Sequence, residues 1–69
     1  MASVAQHLFR RTDGTYYLRC RIPVDLVPII GRRELRRSLA TADPRQAKIK
    51  VTRLYIRLQV AFERIRKAA

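Results

Sequence analysis

LFRRTDGTYYLRCRIP, residues 8–23, holds two short alternating runs on either side of Asp13-Gly14. After the dipeptide, Tyr16, Leu18, Cys20 and Ile22 fall on one parity, and Tyr17, Arg19 and Arg21 on the other. A period of two belongs to a strand, whose successive side chains point to opposite faces. Asp-Gly between two such runs is a hairpin signal: Asp tolerates left-handed backbone and Gly adopts it without steric cost. A loop made of Asp13 and Gly14 alone sets Thr12 opposite Thr15, Arg11 opposite Tyr16, Arg10 opposite Tyr17, Phe9 opposite Leu18 and Leu8 opposite Arg19. Opposed residues share a face. Phe9 is then expected in the core with Tyr16, Leu18, Cys20 and Ile22. Leu8 and Arg10 are expected outside with Tyr17, Arg19 and Arg21, and a slip of one residue would exchange the two sets.

Pro23 has no N–H for a ladder and ends the second strand. VDLVPIIG, residues 24–31, reads as a single helical turn. Asp25 is its expected N-cap, Pro28 sits in the first turn, and Gly31 suits the left-handed C-terminal position. Val27, Ile29 and Ile30 are expected to cover one end of the core. From about Arg33 to Leu39 parity predicts a third strand. Leu35 and Leu39 point in, Glu34, Arg36 and Ser38 point out, and Arg37 has inward parity with its head reaching water. On propensity alone RRELRRSLA also admits a helix. A long helix follows, with Asp43 as N-cap, Pro44 as first helical residue and Gln46 in the capping-box position. It runs to about Lys67. Ala47, Val51, Leu54, Tyr55, Leu58, Phe62 and Ile65 form its apolar stripe. A thinner stripe, Ile49, Ile56 and Val60, lies nearly opposite. Such residues are either scattered exposed apolar groups or a contact with another domain or copy.

These elements predict an α+β fold: a three-stranded antiparallel β-sheet packed on one long C-terminal α-helix (β-β-β-α), with a short helical turn between strands two and three. Residues 1–6 read as a flexible leader. Residues 7–67 read as one domain, expected to be a fragment of a longer chain.

At 69 residues such a domain buries only about 60% of its unfolded surface, which leaves little room for a deep catalytic pocket. Lys and Arg number 16 against 5 Asp and Glu, a net charge of +11. That balance points to a polyanion partner. Cys20 is the only cysteine and His7 the only histidine. Together they build neither a disulfide nor a zinc site, so no metal or cofactor is expected. A buried lone thiol suits the reducing cell interior, and a cytoplasmic location is expected. No apolar run approaches the roughly 18 residues of a membrane span, and charge is not confined to one side of a greasy helix as in membrane-surface helices. No phosphate loop, acid–base pair or activated nucleophile is visible, so the chain reads as non-catalytic. Binding is expected instead from one sheet face carrying Arg10, Tyr17, Arg19, Arg21, Arg36 and Ser38. A narrow twisted sheet enters a major groove, and arginine grips phosphate or the two acceptors of guanine.

Four segments, GTYYLR (14–19), RIPVDL (21–26), RRSLAT (36–41) and DPRQA (43–47), resemble in order and spacing the N-terminal domain of phage-integrase-type tyrosine recombinases. The resemblance spans about Leu8 to Leu58. It implies a β-β-β-α module whose sheet enters double-stranded DNA at arm-type or flanking sites, positioning the recombinase for DNA integration. Tyr17, Arg19, Arg21 and Arg36 become the implied contacts. Cys20 stands where an arginine is common, and Ala40 where a glycine is frequent. The family's catalytic residues lie in a domain absent here. The implied partners are DNA, the downstream core-binding and catalytic domains of the same chain, and other integrase protomers. The alternative is a protein-interaction module that docks on a neighbouring recombinase domain or protomer through Ile49, Ile56 and Val60.

Overall fold

In the computed structural model, which describes residues 7–68, the first hairpin closes through three residues. The expected leader, residues 1–6, lies outside the described residues. Strand β1 (Leu8–Arg10) is joined to β2 (Tyr16–Arg21) by a loop at Thr12-Asp13-Gly14. Gly14 N–H donates to the Arg11 carbonyl at 3.0 Å and Arg11 N–H to the Thr15 carbonyl at 2.9 Å. Gly14 has φ 94°, the left-handed conformation that closes a three-residue hairpin. Asp13 does not fill a left-handed turn position; its Oδ1 accepts the Thr15 N–H at 2.9 Å.

The longer loop moves the register by one residue. Leu8 pairs with Leu18, Phe9 with Tyr17 and Arg10 with Tyr16. Every β1 side chain therefore takes the face opposite to the one a two-residue loop gives. Leu8 packs against the core, and Phe9 stands on the outer face, 37% exposed. Arg10 shares its parity with Tyr16, not with Tyr17, Arg19 and Arg21.

After β2 come a 3-10 turn (Val24–Leu26) and helix α1 (Val27–Ile30), then β3 (Glu34–Ser38) and helix α2 (Pro44–Ala68). The sheet is antiparallel in the order β1-β2-β3, so the helical alternative for residues 32–40 does not occur. Tyr17 faces Ser38, Leu18 faces Arg37, Arg19 faces Arg36, Cys20 faces Leu35 and Arg21 faces Glu34. Past β3, Leu39 N–H donates to the Tyr16 carbonyl at 3.0 Å and Tyr16 N–H to that of Thr41 at 2.9 Å. Ala40 between them is pushed out of the ladder at φ 54°.

The helix lies under the sheet's inner face. Leu18, Cys20, Leu39, Ala47 and Val51 form one buried cluster, and Ile22, Leu26 and Phe62 a second; half-buried Leu58 packs against both. Asp43 starts α2 as expected, its Oδ1 accepting the Arg45 N–H at 3.0 Å. Gln46 makes no reciprocal capping bond among the described residues.

The short turn departs from expectation in two places. Asp25 caps nothing: Pro23 occupies the N-cap and no side chain bonds there. The Asp25 carboxylate instead grips Arg66 in the last turn of α2, Oδ2 to Nε at 2.8 Å and Oδ1 to Nη2 at 3.2 Å. A bidentate charge-assisted pair at the helix end outweighs a cap on a three-residue turn. Leu26, with Val27 and Ile30, covers the end of the core, while Ile29 points to solvent.

Left-handed backbone costs a residue with a Cβ about 1–2 kcal/mol, whereas added glycine freedom in the unfolded chain costs about 0.4–1 kcal/mol. Ala40→Gly is therefore expected to stabilise the domain by up to about 1 kcal/mol in chemical denaturation. A loss of stability would mean that the corner after β3 is not left-handed.

Candidate nucleic-acid interface

Antiparallel pairing brings Arg19 and Arg36 directly opposite each other on the outer face. Like charges so placed repel. Glu34, diagonal to Arg19 and two residues before Arg36, resolves the conflict. Arg36 Nε donates to Glu34 Oε1 at 3.0 Å, and Arg19 Nε lies 2.9 Å from the same oxygen. Arg36 first, then Arg19, holds the Glu34 carboxyl below the usual range.

Aromatic contacts order the rest of this face. Phe9 stacks on Tyr17 with ring centroids 5.7 Å apart and planes 25° apart. The Arg19 guanidinium carbon lies 5.7 Å from the Phe9 centroid, within cation–π range. Beside this stack is a recess of about 290 Å³ lined by His7, Phe9, Arg19, Arg21 and Glu34. At the hairpin end lies an open basin of about 600 Å³, lined by Arg10, Arg11, Thr12, Tyr17, Arg36, Arg37 and Ser38. Among the described residues, no carboxylate lines it.

Tyr17, Arg19, Arg21, Arg36 and Ser38 thus share the face that parity predicted for them. Arg10 does not share it as a strand position, because the register differs. Its side chain instead runs to the hairpin tip, 6.0 Å from the Tyr16 ring centroid, and joins the basin from the edge. Phe9, Arg11, Arg37 and Glu34 belong to the surface although the sequence pattern gave them no binding role. Phe9 was hidden by the loop length: Thr12-Asp13-Gly14, with glycine third, is as regular a hairpin as Asp13-Gly14 alone.

Every Asp and Glu side chain is engaged. Asp13 and Asp43 bond backbone N–H groups, Asp25 and Glu63 hold Arg66, and Glu34 holds Arg19 and Arg36. Among the described residues the other cations have no ion pair. On α2, Ile49, Ile56 and Val60 are exposed. Ile56 and Val60, with Arg57, Ala61, Arg64 and Ile65, line a groove of about 470 Å³, and Ile49 lies outside it. Cys20 is buried, which pushes its thiol up. Among the described residues, no cluster of three or more His, Cys, Asp or Glu could hold a metal ion, and no helix is long and apolar enough to cross a membrane.

Together these features define a small α+β domain in which a three-stranded sheet rests on one long helix and presents a basic open face. The chain belongs to the family described as a domain of unknown function (DUF6538), whose pattern matches residues 7–67. No curated protein and no solved structure matches it.

Asp13, Asp25 and Glu34 are each held below their ordinary range, by the Thr15 backbone N–H, by Arg66, and by Arg36 with Arg19 respectively. A carboxyl depressed in the folded state stabilises it above the unfolded value and loses that contribution as pH falls through the folded one. The melting midpoint should therefore drop as pH is lowered below about 4. NMR titration should place the Glu34 midpoint below that of an unpaired glutamate; an ordinary midpoint would contradict the Arg19–Glu34–Arg36 arrangement.

Proposed function

We propose that this domain binds double-stranded DNA through the outer face of its sheet. It serves as the non-catalytic N-terminal module of a cytoplasmic site-specific integrase of the tyrosine-recombinase type, placing the enzyme on arm-type or flanking sites for DNA integration. One observation carries this reading: the outer face has one carboxylate, Glu34, and a basin walled by Arg10, Arg11, Arg36 and Arg37 without any. Diffuse charge spread for repulsion alone does not require guanidinium groups gathered around a concavity. Size agrees. Three strands at about 4.8 Å spacing are about 10 Å across, against a major groove about 12 Å wide. The likeness of GTYYLR, RIPVDL, RRSLAT and DPRQA to integrase N-terminal domains points the same way.

A second reading rests on the α2 groove. Ile56 and Val60 between Arg57 and Arg64 would seat a downstream domain of the same chain or another protomer, with Ile49 at its margin. The two readings use different surfaces.

Duplex affinity is expected to fall with salt, with a log–log slope of about 0.9 per phosphate neutralised. Removing Arg19 and Arg21 together (Arg19→Ala, Arg21→Ala) should weaken binding by about 1–3 kcal/mol for each arginine that bonds a base edge. Arg10→Ala with Arg37→Ala should instead flatten the salt slope by about 2. Binding unchanged by both double variants would overturn the sheet face as the DNA-binding surface. Ile56→Glu should leave DNA affinity intact; loss of assembly in the longer protein would favour the second reading.

A further inference from the structure

The recess beside β1 differs in kind from the basin at the hairpin tip. Its wall includes Phe9, an apolar side chain on the otherwise polar outer face, and the ring is held in place by Tyr17 and Arg19. Arg19 and Arg21 add N–H donors, and Glu34 adds carboxylate acceptors. A backbone phosphate gains nothing from an aromatic ring and is repelled by Glu34. It is better served by the carboxylate-free basin.

In the major groove a T·A pair displays a methyl group and the O4 acceptor of thymine, next to the N6 donor of adenine. The recess offers the complement of that set within one wall. We propose that it is a base-pair subsite that selects thymine. Phe9 packs on the C5 methyl, a guanidinium N–H of Arg19 or Arg21 donates to O4, and Glu34 accepts from the adenine amino group. This rests on the reading of the sheet as a DNA-binding face. Phe9 is the discriminating residue. A C·G pair also offers an amino donor to Glu34 and acceptors to arginine, but it has no methyl.

The pairing of Phe9 with Tyr17 makes the subsite possible. In the other register Phe9 would be in the core and Leu8, shorter and unstacked, would stand near Arg19. The ring is also pre-ordered, so contact with a methyl requires little further loss of side-chain freedom.

The test removes only the methyl. Preferred duplexes are selected from random sequence with the 69-residue chain, and each thymine in the tightest site is replaced by deoxyuridine. At one position affinity should fall about fourfold, the worth of one buried methyl, and Phe9→Ala should abolish that sensitivity. At the same position, 5-methylcytosine opposite guanine should bind better than cytosine. A selected site indifferent to deoxyuridine at every position overturns the subsite while leaving DNA binding in place. So does a methyl effect that survives in Phe9→Ala. Absence of duplex binding even at about 50 mM salt overturns the DNA reading and the subsite together. Indifference to deoxyuridine in the unaltered chain overturns the subsite even where the variant fails to fold.

Discussion

Gly14 at φ 94° sets what each surface of this domain can be. A left-handed residue at the third loop position lets Arg11 and Thr15 close the hairpin, and the β1 register follows. Leu8 then lies over the core and Phe9 against Tyr17. A β-carbon at this position would cost about 1–2 kcal/mol, a large share of the stability of so small a domain. The outer face is built on that loop. With β1 one residue out of place, Phe9 would be buried and neither the aromatic stack nor the recess beside it would exist.

A sheet over a single helix has one covered side. The inner side of β2 is apolar because Leu18 and Cys20 pack there with Ala47 and Val51 of α2, and Leu58 bridges the two buried clusters. Among the described residues the open side has no layer to pack against, and it carries charge. It carries so much that two arginines meet across the β2–β3 ladder. Glu34 holds both Nε groups, while the Arg19 and Arg36 side chains stay 43% and 65% exposed. These exposed pairs are each worth little in stability. Their effect is geometric, fixing two long side chains that would otherwise sample many rotamers. Arg66 does a different job at the far end of α2, tying the helix to the turn after β2 through Asp25.

What could be read from the sequence was whatever depends on local period. The faces of β2 and β3, the Asp43 start of α2, the Gly31 stop and the inner stripe of the long helix all follow from spacings of two, three or four residues. The β1 face was not legible, because Thr12-Asp13-Gly14 fits two loop lengths and one residue of difference inverts a strand. Asp25 departs from its expected cap role for another reason. Its cap preference is local, but its partner Arg66 is 41 residues away, and no pattern along the chain announces that pairing. Of the expected binding residues, Tyr17, Arg19, Arg21, Arg36 and Ser38 fell together because all lie on β2 and β3. Arg10, on β1, reached the same surface by a different route, around the edge.

The proposed DNA reading gains internal consistency from the uneven placement of the carboxylates. Phosphate contacts supply affinity without sequence information, and base-edge contacts supply discrimination. A uniformly basic face would do only the first. A carboxylate in the recess lowers the affinity for any polyanion, and in the proposed subsite it adds an acceptor for an amino group to its pairing with Arg19 and Arg36. Here the basin has none and the recess has one. That division fits the proposed module, in which phosphate contacts at the basin would act together with a base-edge contact at the recess.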